Sequence, residues 1–279
     1  MTEMYRVSKV LNNNGVIAID MDENKEYVIL GKGVGFGKKV SQRFDKPEGC
    51  TTYRLEQETE RGSAKELVKG IEPEYLEIAD AILTESQKVF GDSIDRGILF
   101  PLADHISFAV ARIRRNEQIS NPLTEDIKVL FYSEFKVAET LKTILRERLQ
   151  IEIDDHEVGY VALHIHSAIG DEKVSVAMQT ARAVRECIDM IEKATGKPID
   201  VLSLSYNRLM NHMKYMVARA STGEKLNLDM NEYMLDQYPQ AYKVATDICK
   251  NLEGCIGHKL DETETGYLAM HIQRVYKDA

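Results

Sequence analysis

Glu157-Val158-Gly159-Tyr160-Val161-Ala162-Leu163-His164-Ile165 recurs later in the chain as Glu264-Thr265-Gly266-Tyr267-Leu268-Ala269-Met270-His271-Ile272, with six of nine positions identical. The two segments are offset by 107 residues, and the same offset aligns Asp104–Arg112 with Asn211–Arg219 without a gap. This period is far longer than that of solenoid repeats and matches the usual size of a domain with one hydrophobic core. The sequence therefore predicts two copies of one module.

Each module carries two histidines at the same spacing, and the four positions are His105, His164, His212 and His271. A single histidine beside an apolar helix face is often a hydrogen-bonded core residue. Because both histidines recur in both copies, a functional role is favoured over that interpretation.

The segment from 104 to 115 has helical periodicity, with apolar residues at steps of three and four and His105 at the border of the apolar face. Asp154-x-x-Glu157 and Asp261-x-x-Glu264 resemble capping boxes, which places the second histidine of each module about three turns into a helix. If the two helices of a module pack together, its histidines share one polar pocket. Asp104 is then a candidate to hydrogen-bond an imidazole nitrogen and fix its tautomer, with Asn211 as the weaker counterpart.

The N-terminal segment 1–55 has a different pattern. Short β-branched runs at Tyr5–Leu11, Val16–Asp20 and Tyr27–Leu30 are separated by Asn-, Asp- and Gly-rich turns, which predicts antiparallel hairpins. So small a sheet buries little apolar area alone, and we expect it to complete its core by pairing with a second copy. The predicted fold is multidomain: an antiparallel β domain over 1–55, a charged linker over 56–67, and all-α bundles over 68–172 and 173–279.

Composition excludes several classes of protein. With 43% hydrophobic and 29% charged residues the chain is typical of globular proteins. No apolar run is long enough to span a membrane and no signal peptide is evident, so cytoplasmic residence without membrane insertion is expected. The four cysteines form no CxxC pair, which argues against a zinc site or a disulfide framework.

Charge is unevenly distributed. Residues 1–55 hold nine Lys/Arg and seven Asp/Glu, whereas the remainder holds 27 and 38. Since an acidic body repels nucleic acid, any phosphate-binding surface is expected in the N-terminal segment.

Two stretches of that segment stand out, Lys9-Val10-Leu11-Asn12-Asn13-Asn14 and Gly31-Lys32-Gly33-Val34-Gly35-Phe36-Gly37-Lys38-Lys39. Taken alone, an Asn triplet is most often a turn, and a Gly-x-Gly run is most often a loop. Together with the four histidine motifs, they resemble the transcriptional antiterminators of bacterial sugar operons. These proteins have an N-terminal RNA-binding domain and two domains regulated by the sugar phosphotransferase system (PTS). The extra Gly15 after the triplet departs from the family pattern.

The resemblance implies a dimeric β domain that binds a leader-mRNA hairpin and prevents an overlapping terminator from forming. Specific RNA recognition usually targets unpaired bases, which stack on aromatic rings and accept hydrogen bonds. The residues implied in RNA binding are Lys9, Asn12, Asn13, Asn14, Gly31, Lys32, Phe36, Lys38 and Lys39.

For the modules, the resemblance implies histidines that accept phosphoryl groups, with no enzymatic activity and no cofactor. His105 and His164 resemble the inhibitory target of a sugar-specific PTS permease (EIIB), and His212 and His271 resemble the activating target of the phosphocarrier protein HPr. Arg112 and Arg219 are candidates to pair with the added phosphates. The glycine-rich stretch and His164–Ala168 look closer to glucose-type than to β-glucoside-type regulators.

Two alternatives remain open. In a metalloenzyme, His105, His164 and His166 would form a three-histidine site, although Gln273 replaces the third histidine in the second module. In a PTS-regulated DNA-binding activator, similar modules would follow a helix-turn-helix, which the β-rich segment 1–55 does not resemble.

Overall fold

The computed structural model describes residues 4–56, 58–59, 62–117, 119–170, 173–196, 198–200 and 203–278. The chain forms two compact units. The first unit comprises residues 1–121 and 133–173, and the second comprises residues 122–132 and 174–279.

The first unit begins with a five-stranded antiparallel sheet in the order β4-β1-β2-β3-β5. The strands are β1 (Met4–Asn12), β2 (Gly15–Asp20), β3 (Glu26–Leu30), β4 (Arg43–Asp45) and β5 (Thr51–Arg54). The predicted antiparallel β domain is thereby confirmed.

Alternation along the strands makes one face of the sheet apolar. Tyr5 lies on that face, with its ring edge-on to the ring of Tyr27 and 6.1 Å from the ring of Phe44. The buried residues that form this small core are Tyr5, Val7, Val16, Ala18, Ile29, Val34 and Phe44.

A short antiparallel strand pair, β6 (Glu58–Thr59) and β7 (Gly62–Ser63), follows where the sequence predicts a linker. Gln57, Glu60 and Arg61 of that predicted linker lie outside the described residues. Ser63 caps the next helix, because its hydroxyl accepts from the Glu66 backbone N–H.

The helices of the first unit are α1 (Ala64–Gly70), α2 (Pro73–Phe90), α3 (Leu99–Arg114), α5 (Tyr132–Ala138), α6 (Thr140–Leu149) and α7 (Asp155–Gly170), with two 3-10 turns at Gly91–Ser93 and Arg96–Ile98. α2 and α3 pack together, and α7 packs on both. Their buried faces are apolar except for a few polar side chains, and those polar side chains include both histidines of the first module.

The second unit is entirely helical within the described residues. It contains α4 (Thr124–Leu130), α8 (Val174–Thr195), α9 (Leu204–Thr222), α10 (Asn231–Gln237), α11 (Pro239–Ile256) and α12 (Thr263–Asp278). α11 packs between α8 and α12, and α9 packs against α12.

Helix α4 lies within the first repeat in sequence but belongs to the second unit in space. It packs against α8 and α9, and the Tyr206 hydroxyl donates a 3.1 Å hydrogen bond to the Asp126 carboxylate. Burial raises the pKa of Asp126, with the hydrogen bond from Tyr206 opposing that shift. The domain boundary that the sequence suggests at 172/173 stays a prediction. In the structure, the segment 122–132 groups with the helices that follow residue 173.

Across the described residues, the helices are too short or too polar to cross a membrane.

Candidate nucleic-acid interface and histidine sites

The two N-terminal signature stretches meet in the folded sheet. Asn13 and Asn14 form the turn between β1 and β2. The backbone carbonyl of Asn14 accepts from Gly31 N–H at 2.9 Å, and the carbonyl of Asn13 accepts from Gly35 N–H at 3.0 Å. The asparagine turn and the glycine-rich loop therefore form one surface, which we call the reading surface (residues 12–14 and 31–37).

Glycine is required at Gly35 because the backbones approach so closely. A Cβ atom added there would overlap the Asn12 carbonyl oxygen. Gly33 differs, since it has a φ of +74° with open space around an added Cβ. Gly35 therefore sets the fit between the turn and the loop, whereas Gly33 supplies a left-handed backbone conformation.

The side-chain oxygens of Asn12 and Asn14 accept hydrogen bonds within the reading surface. The Asn12 side-chain oxygen accepts from Asn14 N–H at 2.8 Å, and that of Asn14 accepts from Gly33 N–H at 3.0 Å. Their NH₂ groups point to the carboxylate of Glu77 in α2, at 2.7 Å from Asn12 and 3.1 Å from Asn14. A carboxylate of α2 thus occupies the NH₂ donors that the sequence analysis predicts to contact RNA.

The remaining predicted RNA contacts are mostly exposed. Phe36 is 74% exposed, which is unusual for a large aromatic side chain. The Lys38 ammonium lies 4.8 Å from the centroid of the Phe44 ring, a cation–π contact that holds it over the sheet. Lys9, Lys32 and Lys39 are exposed cations in the same domain.

The sheet also contacts α2 through its edge strand β5. The Tyr53 hydroxyl of β5 donates to Asp80, and Arg96 donates to both Asp80 and the Tyr53 oxygen at 2.8 Å each. Burial beside Asp80 raises the pKa of Tyr53, which keeps the hydroxyl protonated as a donor. Asp80 and Glu77 lie one turn apart, so one face of α2 makes both contacts.

The four predicted phosphorylation histidines form two close pairs. His105 of α3 and His164 of α7 have ring centroids 5.4 Å apart, and His212 of α9 and His271 of α12 have centroids 4.8 Å apart. The prediction that the two histidines of each module share one pocket is confirmed. His105 and His164 are 8% and 6% exposed.

Burial keeps the second pair uncharged. Desolvation, with His271 and Arg219 nearby, lowers the pKa of His212 to about 3. Desolvation, with Arg274 and Arg208 nearby, lowers the pKa of His271 to about 4. Both imidazoles are therefore neutral at pH 7 and retain a nucleophilic lone pair.

Comparisons with known proteins agree with this arrangement. The CAT RNA binding domain matches residues 5–62, and the PRD domain matches residues 80–168 and 185–275. The chain belongs to the PRD family. One PRD domain contains His105 and His164, the other contains His212 and His271, and the CAT domain contains the whole reading surface.

Several relatives match along nearly the whole chain. The GlcA/glcB genes antiterminator of Staphylococcus carnosus is 30% identical, with 96% of this chain and 94% of that protein covered. Protein GlcT of Staphylococcus haemolyticus is 28% identical over 96% of this chain and 95% of its own length. Transcription antiterminator LicT of Bacillus subtilis is 27% identical over 98% of this chain and 100% of its own length.

A crystal structure of GlcT CAT-PRDI matches with a TM-score of 0.52 and 29% identity, covering 60% of this chain and 99% of that one. These relatives confirm the resemblance to glucose-type regulators.

In each PRD domain, the sequence analysis missed one residue that lies beside the histidine pair. Glu157 and Glu264, assigned only to capping boxes, are 3% and 1% exposed. Asp154 does act as a cap, accepting from Glu157 N–H at 3.2 Å, but the Glu157 side chain turns to His105 and Arg112. The available signal was that Glu157 and Glu264 recur at equivalent positions of the repeat. The capping role was taken as a full explanation of that recurrence.

Arg112 and Arg219 bind these carboxylates. Arg112 donates to both oxygens of Glu157 at 2.8 and 3.1 Å, and Arg219 donates to both oxygens of Glu264 at 2.6 and 2.9 Å. The carboxylate beside His105 is therefore that of Glu157, while the role of Asp104 stays a prediction. Asn211 is exposed.

The two PRD domains differ around the repeated carboxylate. A cavity of about 190 Å³ adjoins Glu264, whereas the equivalent space beside Glu157 is about 10 Å³. Ala220 lines the larger cavity where the first domain has Ile113, and Lys259 replaces Glu152. The second domain is thus more open and more basic at this point.

His166, the third histidine of the metalloenzyme alternative, lies with Nδ1 2.9 Å from the buried Glu134 carboxylate. Among the described residues, no cluster of three or more His, Cys, Asp or Glu side chains is placed to hold a metal ion.

Proposed function

We propose that this chain is a transcription antiterminator of a sugar-utilisation operon. As a homodimer it binds a hairpin in the leader mRNA and prevents an overlapping terminator from forming. Phosphorylation of histidines in its two PRD domains switches that binding. The chain acts in the cytoplasm and catalyses no reaction of its own.

The observation that carries this proposal is the reading surface. The asparagine turn and the glycine-rich loop are hydrogen-bonded together beside an exposed phenylalanine, within a domain that matches the CAT RNA binding domain. Unpaired bases stack on aromatic rings and accept hydrogen bonds from amide donors. Phe36 and the NH₂ groups of Asn12 and Asn14 supply both kinds of contact.

Exposed lysines complete the surface. Lys9, Lys32 and Lys39 lie on a domain whose charge is weakly positive, ahead of an acidic remainder. They contact phosphates and position the RNA, while base contacts provide specificity.

Glu77 links the reading surface to regulation. Its carboxylate holds the same NH₂ groups that RNA requires, and it places a negative charge where phosphates would approach. Because Glu77 belongs to α2, next to the helices of the first histidine pair, movement of α2 changes access to the reading surface. In this geometry the first PRD domain opposes RNA binding.

The histidine pairs provide the switch. A phosphoryl group brings close to two negative charges into a pocket that already holds a buried carboxylate. Repulsion within the pocket, or capture of the phosphate by Arg112 or Arg219, alters the packing of the helices. EIIB of a sugar-specific permease phosphorylates the first domain and inhibits, and HPr phosphorylates the second and activates. The contrast between Glu152 and Lys259 gives the two donors different surfaces to recognise.

Dimerisation is supported by exposed aromatic residues at equivalent positions. Phe108 in α3 and Tyr215 in α9 are related by the offset of the repeat and are 56% and 59% exposed. Each lies one turn after the first histidine of its pair. Two copies that bury these rings would link the histidine pockets to the dimer geometry.

The RNA-binding claim is tested with Phe36→Ala and the control Val40→Ala, a nearby apolar residue that is 65% exposed. Loss of one stacking contact costs ~1–3 kcal/mol, so we expect Phe36→Ala to weaken binding of the full chain to its leader hairpin by about 5- to 150-fold. Val40→Ala should stay within about twofold of wild type. Equal binding of the leader hairpin and a scrambled hairpin by the wild-type chain would refute the function, and a preference for duplex DNA would favour the activator alternative.

The regulatory claim is tested in cells with a leader–reporter fusion. Aspartate at both His105 and His164 adds negative charge to the first pair, and we expect read-through to fall even with the inducing sugar present. Unchanged read-through would refute the inhibitory assignment.

A further inference from the structure

The first histidine of each pair faces a buried carboxylate through the same ring nitrogen. His105 Nε2 lies 3.5 Å from Glu157 Oε2, and His212 Nε2 lies 3.6 Å from Glu264 Oε2. Both Nε2 atoms are buried without a hydrogen-bond partner at normal distance. Because the geometry occurs independently in two copies of one module, it is a property of the module.

Each carboxylate is paired with an arginine. Arg112 and Arg219 each bind both oxygens of their glutamate. Burial raises the pKa of Glu157, but the neighbouring His105 and the hydrogen bonds and charge of Arg112 outweigh it and leave the pKa below its usual value. An ionised carboxylate only accepts hydrogen bonds, so a ring nitrogen facing it is favoured with its proton and disfavoured with its lone pair.

We infer that Glu157 and Glu264 are positioning residues for phosphoryl transfer, which keep the proton of His105 and His212 on Nε2 and make Nδ1 the atom that accepts the phosphoryl group. This inference rests on the proposed phosphorylation of those histidines. It goes beyond that proposal by naming the accepting atom and the residue that selects it.

The transfer step follows from this arrangement. The Nδ1 lone pair attacks the phosphorus of a phosphorylated donor, and a new P–N bond forms as the donor's bond to phosphorus breaks. The electron pair of the broken bond leaves with the donor atom. Positive charge develops on the accepting ring and extends to Nε2–H, where the glutamate stabilises it, and the proton stays on Nε2 beside the carboxylate.

The second histidine of the later pair differs. In His271 the buried nitrogen without a partner is Nδ1. The selection of Nδ1 as acceptor therefore concerns the first histidine of each pair, and His271 provides an internal comparison within the same pocket.

The decisive experiment is long-range ¹H–¹⁵N NMR of the full chain with ¹⁵N-labelled histidine at pH 7, assigned with single His→Gln variants. We expect His105 and His212 to give the pattern of a proton on Nε2. A dominant Nδ1–H pattern at both would overturn the inference, and this measurement requires neither phosphorylation nor a glutamate variant.

The same spectra recorded after phosphorylation identify the accepting atom. With phosphorylated HPr as donor for His212, we expect phosphate on Nδ1, and phosphate on Nε2 would overturn the inference. We expect Glu264→Gln to slow phosphorylation of His212 by at least about tenfold and to redistribute its tautomers, with partial recovery in Glu264→Asp. Failure to phosphorylate His212 in a wild-type chain whose resting tautomer is as expected would instead count against the proposed function.

Discussion

Replacing Glu77 with alanine should strengthen RNA binding by the unphosphorylated chain. Glu77 accepts hydrogen bonds of 2.7 and 3.1 Å from the NH₂ groups of Asn12 and Asn14, and RNA must displace the carboxylate before it can use those donors. A carboxylate in this position also repels the RNA backbone.

The magnitude follows from those two contacts. A hydrogen bond to a charged group contributes ~1.5–3 kcal/mol when well buried, and about 0.5–1.5 kcal/mol is appropriate for an ordinary bond. The Glu77 side chain is 20% exposed, so we take about 0.5–1.5 kcal/mol for each bond. The two bonds together oppose RNA by about 1–3 kcal/mol, which corresponds to roughly 5- to 150-fold in the dissociation constant.

The assay is a fluorescence-anisotropy titration of a labelled leader hairpin with the full chain at fixed salt, because affinity for RNA depends strongly on ionic strength. Glu85→Ala is the matched control, since it removes the same charge from the same helix at a residue paired with Lys88. An affinity gain confined to Glu77→Ala would support competition between Glu77 and RNA for the two NH₂ groups. Equal gains in both variants would show that the effect comes from net charge alone. No gain in a correctly folded Glu77→Ala variant would refute the competition.

Three further outcomes follow from the structure. Acid should destabilise the second unit from about pH 6.5 downwards, because the folded-state pKa values of His212 and His271, about 3 and 4, lie below the ordinary value of 6.5. The unfolded state therefore binds more protons than the folded state in this range. Each histidine lowers the free energy of unfolding by ~2 kcal/mol between pH 7 and 5. Urea unfolding against pH measures this, and the slope should become shallower in the His212→Gln/His271→Gln variant; an unchanged slope would contradict it. Arg219→Met leaves Glu264 buried and unpaired and should lower the free energy of unfolding by ~3–5 kcal/mol in thermal unfolding. The control Arg182→Met, at an exposed position, should cause little change. Equal effects of the two variants would argue against the buried ion pair of Arg219 and Glu264. Gly35→Ala should abolish RNA binding by separating turn and loop, whereas Gly33→Ala, with open space but a φ of +74°, should cost ~1 kcal/mol; similar losses in both would contradict the packing at Gly35.

Much of the fold could be predicted from local patterns. The strand runs predicted at Tyr5–Leu11, Val16–Asp20 and Tyr27–Leu30 correspond closely to β1, β2 and β3, because turn formers and alternation are local signals. The pairing of histidines within each module could also be predicted, since the duplication itself showed which residues belong together.

Other features depend on contacts that sequence patterns do not encode. Helix α4 lies in the first repeat yet packs with the second unit, and its partner Tyr206 is 80 residues away. The contact of Glu77 in α2 with Asn12 and Asn14 joins residues that are 65 and 63 positions apart in the sequence. Glu157 had a sufficient local explanation as a capping residue, and only the packing of α3 against α7 shows that its side chain lies beside His105.

Histidine-controlled binding of RNA that prevents termination is tested most directly by single-round transcription through the leader terminator of the operon, with the full chain unphosphorylated or phosphorylated by HPr. We expect the HPr-phosphorylated protein to raise read-through and the Phe36→Ala variant to lose this effect. Read-through that is unchanged by the wild-type chain in either state would contradict it.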